Sequence, residues 1–207
     1  PQPPYDKEGE LSLDLQVDGK KVFNLSFTII PGWVVKSESL EVLLISRLQG
    51  RPGCNTQVRL ARRALNDYSP RTLLLASLQG IADAFGIGEI VAVSATKQRC
   101  YENAHPAIIK GGYDDFFAKR GMVKTPSGFY SSPIPIEGKP LQSFKARARS
   151  RARKRRANRQ KLRLACADFL SKITDQATDP SSKSISLERV PTAVELGRSP
   201  VSIPTSD

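Results

Sequence analysis

With 207 residues, 39% of them hydrophobic, the chain is long enough to bury one core of roughly 100 to 150 residues without a disulfide or a metal. Its formal net charge of +12 points toward anionic partners, and no apolar run approaches the ~20 residues that a membrane-spanning helix requires. Cys54, Cys100 and Cys166 are odd in number and form no C-x-x-C pair, which argues for reduced thiols in a cytoplasmic protein and against a structural bridge or a zinc site.

The chain starts at Pro1 rather than methionine, which points to an N-terminal part missing from these residues; no leader of the positive-then-apolar type is expected. Leu11 to Val17 alternates apolar and polar residues and predicts a strand. Asp18-Gly19 suits a two-residue hairpin turn, and Val22 to Ile30 is the return strand. After the break at Pro31-Gly32, Trp33 to Lys36 reads as a short extension and Leu40 to Ser46 as a third strand, so the first third is an antiparallel meander. A short helix is expected from about Thr56 to Asn66 with Asn55 as its cap. Ser69-Pro70 then starts a second helix, because the serine oxygen can accept from the free N-H groups and proline suits the first helical position. From Arg71 to Phe85 the apolar residues recur at three- and four-residue steps, and Gly86 supplies a stop. Glu89 to Ala95 is rich in β-branched residues and predicts an interior strand, with Ile90, Ala92 and Ser94 facing one helix layer and Val91 and Val93 the other. Tyr113 to Arg120 predicts a short helix closed by Gly121, and Met122 to Ile136, turning at Pro126-Ser127-Gly128, a last hairpin. The predicted order is β-β-β-α-α-β-α-β-β.

The C-terminal part is of another kind. Between Lys145 and Arg163 there are eleven Lys or Arg and no acid, so without that segment the formal charge would fall from +12 to +1 (12 minus 11). Beyond it Leu162, Cys166, Phe169 and Ile173 share one helical stripe. This predicts that the end of the helix docks on the domain while its arginine-dense half projects. From about Asp175 the sequence turns rich in Ser, Thr and Pro, as in a disordered tail. The expected division is an α/β domain over 1–144, an arginine-rich helix over 145–173 and a tail over 174–207.

Four separated blocks, Leu44-Ile-Ser-Arg-Leu-Gln-Gly50, Pro70-Arg-Thr-Leu-Leu-Leu-Ala-Ser-Leu-Gln-Gly80, Ile90-Val-Ala-Val-Ser94 and Tyr113-Asp-Asp-Phe-Phe-Ala-Lys-Arg-Gly121, resemble in order and approximate spacing the bacterial VirK/YbjX family of unknown function. The basic Ser143 to Arg153 stretch resembles that family's ending, and the likeness covers roughly Leu11 to Leu170. It implies a Gram-negative cytoplasmic protein linked to virulence, envelope stress and survival of antimicrobial peptides, and it supplies no reaction. Family members tend to carry a histidine shortly after the central strand's serine, where this chain has Thr96-Lys97-Gln98.

At the level of fold, Leu73 to Met122 resembles the helix, strand and helix of GNAT-type N-acyltransferases. This implies an α+β (α/β) fold with a mixed, mostly antiparallel sheet, helices on both faces, a cleft near Val91 to Ala95, and acyl-CoA or another acyl donor as cofactor. In those enzymes a glycine-bearing loop and a helix N-terminus cradle the donor's pyrophosphate. Here the central helix opens without glycine, and the nearest glycine loop is Arg47 to Gly53. The candidate donor-binding residues are therefore Gly50, Arg51, Gly53 and Arg71, and the candidate catalytic residues Ser94, Tyr101 and Tyr113.

Other residue chemistry narrows the choice. His105 is the sole histidine and precedes a proline, which places it in an extended loop away from any Ser-His-Asp or multi-histidine site. No metal is expected. Asp114 and Asp115 are adjacent, so on a helix they diverge by about 100° and serve the helix N-terminus rather than forming a carboxylate pair. The non-enzymatic reading rests on the basic segment. Its candidate anion-binding residues are Arg151, Arg153, Arg155, Arg156 and Arg159, and its partner is a nucleic acid or an acidic membrane surface, with the protein cytoplasmic or peripheral at the inner membrane.

Overall fold

The computed structural model describes residues 9–65, 68–98 and 110–178. Strands β1 (Leu11–Val17) and β2 (Lys20–Pro31) pair antiparallel across Asp18 and Gly19, both at positive φ (50° and 74°). That is the twist-matched turn a two-residue hairpin needs, and glycine adopts it without a steric penalty. β3 (Glu41–Gly50) returns antiparallel to β2, longer at its C-terminal end than the sequence suggested. Between them, Gly32–Val35 forms a 3-10 turn rather than an extension, closed by Lys36 in the left-handed region.

Two helices carry the chain from β3 to β4. α1 (Asn55–Ala64) begins one residue before the expected start, with Cys54 rather than Asn55 at its N-cap and no side-chain capping bond. α2 (Pro70–Ala84) starts where the sequence places it, and Ser69 Oγ accepts from the Thr72 N-H at 3.3 Å. β4 (Glu89–Val93) lies inside the sheet, parallel to β3 and antiparallel to β6 (Phe129–Pro133). α3 (Asp114–Lys119) leads into β5 (Val123–Lys124), and the sheet order is β1-β2-β3-β4-β6-β5. The fold is α+β with a mostly antiparallel sheet, as predicted.

The main core lies on one face. Phe23, Leu25, Phe27, Leu43, Ile45, Ile90 and Ala92 from the strands meet Leu74, Leu75 and Leu78 of α2 and Phe116 and Phe117 of α3. On the opposite face Val42 and Val91 are covered by Val35 of the 3-10 turn. The expected helices on both faces are thus α-helices on one side and a 3-10 turn on the other. Here the chain between β2 and β3 is too short to build a helical layer.

α4 (Ala146–Thr178) packs along α2. The arginine-dense half does not project as expected. The hydroxyl of Tyr68 bonds to the Lys154 carbonyl oxygen at 3.5 Å, Arg156 bonds to the Lys139 carbonyl, and Arg163 pairs with Asp83. The reason is periodicity: Ala152, Arg155, Arg156, Arg159 and Arg163 recur at helical spacing and continue the apolar stripe, so one face of the basic half turns inward with it. α4 runs on to Thr178, so residues 174–178 of the expected tail are helical, and the remainder of that tail, from 179 onward, lies outside the described residues.

Candidate functional site

The eleven cations of α4 and its lead-in divide between two faces. Lys145, Arg147, Arg149, Arg151, Arg153, Lys154 and Lys161 are exposed, while Arg155, Arg156, Arg159 and Arg163 are partly buried against the domain. Arg147, Lys154 and Lys161 stand seven residues apart, which on a helix gives one outward line with charges about 10.5 Å apart. Arg151 and Arg153 flank this line on its two sides. The large apolar side chains of the helix begin only at Leu162, so the outward row is purely cationic.

The inner face closes a cleft of about 470 Å³. Its walls are Thr72, Leu75 and Gln79 of α2, Lys119 and Arg120 at the end of α3, residues 136–139 and Phe144, and Ala152, Arg155, Arg156 and Arg159 of α4, with Arg151 at the rim. Arg120 is held from below: its Nη2 donates to Thr72 Oγ1 at 2.8 Å and its guanidinium stands 5.3 Å from the Phe116 ring centre. Burial and the nearby charges of Arg159 and Arg155 push the Arg120 pKa down. Arg159 is lowered in the same way, chiefly by burial and further by Arg156 and Arg155, with Tyr68 acting in the opposite sense. The Nε atoms of Arg120 and Arg155 are buried without an acceptor among the described residues.

Of the candidate donor residues, Gly50 and Arg71 meet at the Phe23 ring rather than in a shared cleft. Gly50 and Arg51 line a separate 240 Å³ hollow whose other charged members are Glu10, Asp14, Lys21 and Arg47, with Asp14 paired to Lys21. Gly53 does not line it. Arg71 donates to the Gly112 carbonyl at 2.9 Å and lies 5.8 Å from the ring centre of Phe23, the side chain against which Gly50 packs.

Ser94 is fully buried, its Oγ 3.1 Å from Thr96 Oγ1, and it lines none of these hollows. The Tyr113 hydroxyl accepts from the Leu48 N-H at 3.3 Å inside the core. Tyr101 and His105 lie outside the described residues. Asp114 does more than neutralise a helix N-terminus, since its Oδ1 accepts from the Ala95 N-H at 2.7 Å and ties α3 to the end of β4. Of the arginines singled out from the sequence, Arg155, Arg156 and Arg159 come together in the cleft, Arg151 sits at its rim, and Arg153 is on the outer surface. Arg120 and Thr72 are the members that sequence reasoning missed, because they come from two other elements and only the fold brings them under α4.

The family model described as "Protein of unknown function (DUF535)" matches residues 2–167, the span that holds the sheet, the helices and the arginine cleft. No curated protein and no solved structure matches the chain.

Proposed function

The chain belongs to the DUF535 family of proteins of unknown function, the bacterial family that includes VirK/YbjX, and we propose that this member is a non-catalytic polyanion-binding protein acting through the outer face of α4. One observation carries the reading: seven exposed cations without an acid among them, Lys145 just ahead of α4 and six on α4 itself, whose inner face is anchored to the domain. A rod fixed in this way has already given up the freedom that a tail would lose on binding, and neutralising successive phosphates releases their condensed counterions.

A nucleic acid suits the row better than a bilayer. Lys145 to Lys161 contains no large apolar or aromatic residue to insert among lipids, nor one to stack on single-stranded bases, so duplex phosphates with little sequence preference are the expected target. Fluorescence anisotropy with labelled duplex RNA and DNA, set against flotation on anionic vesicles at the same salt, tests this. Tighter duplex binding supports the reading; tighter vesicle binding moves the role to the envelope, the setting that the VirK/YbjX likeness implies.

The acyltransferase reading draws its support from the interior position of β4 and the mixed sheet. It is weakened by the burial of Ser94 and Tyr113 and by the engagement of Arg71 with Gly112.

A further inference from the structure

We propose that the inner cleft is a second, separate site, in which Arg120, Arg155 and Arg159 bind the phosphoryl group of a small molecule. The argument starts from charge. Three guanidiniums from two elements face one 470 Å³ space. No described ion pair joins any of them to an acid, and Glu137, the acid among the lining residues, is exposed. Arginines placed this way repel one another, and partial burial weakens the solvent screening that would make the repulsion cheap. Nearby, Arg163 of α4 is satisfied by Asp83, so the fold can supply a carboxylate to this seam and, among the described residues, does not do so at these three arginines.

The geometry selects phosphate over carboxylate. A carboxylate spreads one charge over two coplanar oxygens, whereas a tetrahedral phosphoryl group with three free oxygens and up to two charges can accept from several guanidiniums arriving from different directions. Arg120 is oriented in advance by Thr72 and Phe116, and its Nε and that of Arg155 are buried without acceptors among the described residues. Leu75, Phe144 and Ala152 give the rest of the cleft apolar walls, which fit an organic body on the phosphate. The source of that phosphate is either a soluble ester or a lipid headgroup.

Calorimetry on the full chain with pyrophosphate, and separately with dihexanoyl phosphatidic acid below its micellar concentration, tests the site. Saturable one-to-one binding is expected, weakened at least tenfold in the double variant Arg155→Gln/Arg159→Gln and unchanged in the charge-matched control Arg59→Gln/Arg62→Gln on α1. The Arg155→Gln/Arg159→Gln protein is also expected to melt at or above the wild-type temperature in anion-free buffer, because it sheds the repulsion, and to keep its affinity for duplex nucleic acid. Tighter binding of the lipid than of pyrophosphate identifies a lipid headgroup, and the reverse order a soluble ester. Absence of binding by both probes overturns the proposal, as does an equal loss in the α1 control.

Discussion

Gly80 of α2 and Cys166 of α4 mark a close approach of the two helices: a Cβ on Gly80 would stand 2.7 Å from Cys166 Cβ and closer still to the Arg163 carbonyl oxygen. A glycine inside a helix costs roughly 1 kcal/mol relative to alanine when nothing else is at stake. Here its missing side chain is what lets the arginine helix lie down on the domain. Gly80→Ala therefore gains helix propensity and still is expected to lower stability by about 1–3 kcal/mol, since backbone rather than a mobile side chain must yield. Urea denaturation measures the loss, and limited trypsin digestion should show earlier cleavage within α4.

Arg163 and Asp83 fasten the same seam one turn away, with side chains only 15% and 26% exposed. Such a pair lies between the surface and buried cases, so a double-mutant cycle with Arg163→Gln and Asp83→Asn should return a coupling of roughly 1–2 kcal/mol. A coupling near zero would mean that this pair adds nothing to the hold on α4.

The elements themselves were legible because each rests on local signals: Asp18-Gly19 for the hairpin, Ser69-Pro70 for the start of α2, and the β-branched run for β4. The docking of α4 was half legible. Leu162, Cys166 and Phe169 announced a stripe, and extending it backward by helical spacing would have put Arg159, Arg155 and Ala152 on the same face. Gly80 in mid-helix was a second available signal. What no local pattern carried was convergence across the chain. Arg120 meets Thr72 and Phe116 only once α3 lies beside α2, and Glu89 gathers three serines separated from it by about forty residues or more.

The Glu89 carboxylate accepts from the hydroxyls of Ser131, Ser37 and Ser39, joining the 3-10 loop to β4 and β6. Burial pushes its pKa up, but the three hydroxyl bonds outweigh this and hold it below its ordinary value of 4.5. A depressed folded pKa means that its contribution to stability is fully present above about 4.5 and is lost as pH falls through the lower folded value. Glu89→Gln should thus be less stable than wild type at pH 7 and should show a flatter decline on acidification below pH 4.5. The decline should not vanish, because Asp14 is also lowered: burial raises it and the bonds from Lys21 and Asn24 prevail. Denaturation midpoints across pH 3 to 7 read both effects.

Arg71 ties α2 to the backbone before α3 through Gly112 and lies against Phe23 and Phe116. Arg71→Ala is expected to cost about 1–2 kcal/mol of stability through the lost hydrogen bond and ring contacts. It should leave any acyl-CoA affinity unchanged, since the side chain lines none of the described hollows. A tenfold loss of acyl-CoA binding in a variant of unaltered stability would restore Arg71 as a donor ligand.

The central claim is that the outer row of α4 engages a phosphate-rich partner, and the salt dependence of duplex binding tests it most directly. About four of the seven exposed cations can face one duplex, so log K is expected to fall against log salt with a slope near −3.5. The quadruple variant Arg147→Glu/Arg151→Glu/Arg153→Glu/Lys154→Glu should abolish binding while its melting temperature stays close to that of the wild type, because these side chains are solvent-exposed. A slope near zero, or binding that survives the charge reversal, would contradict the account.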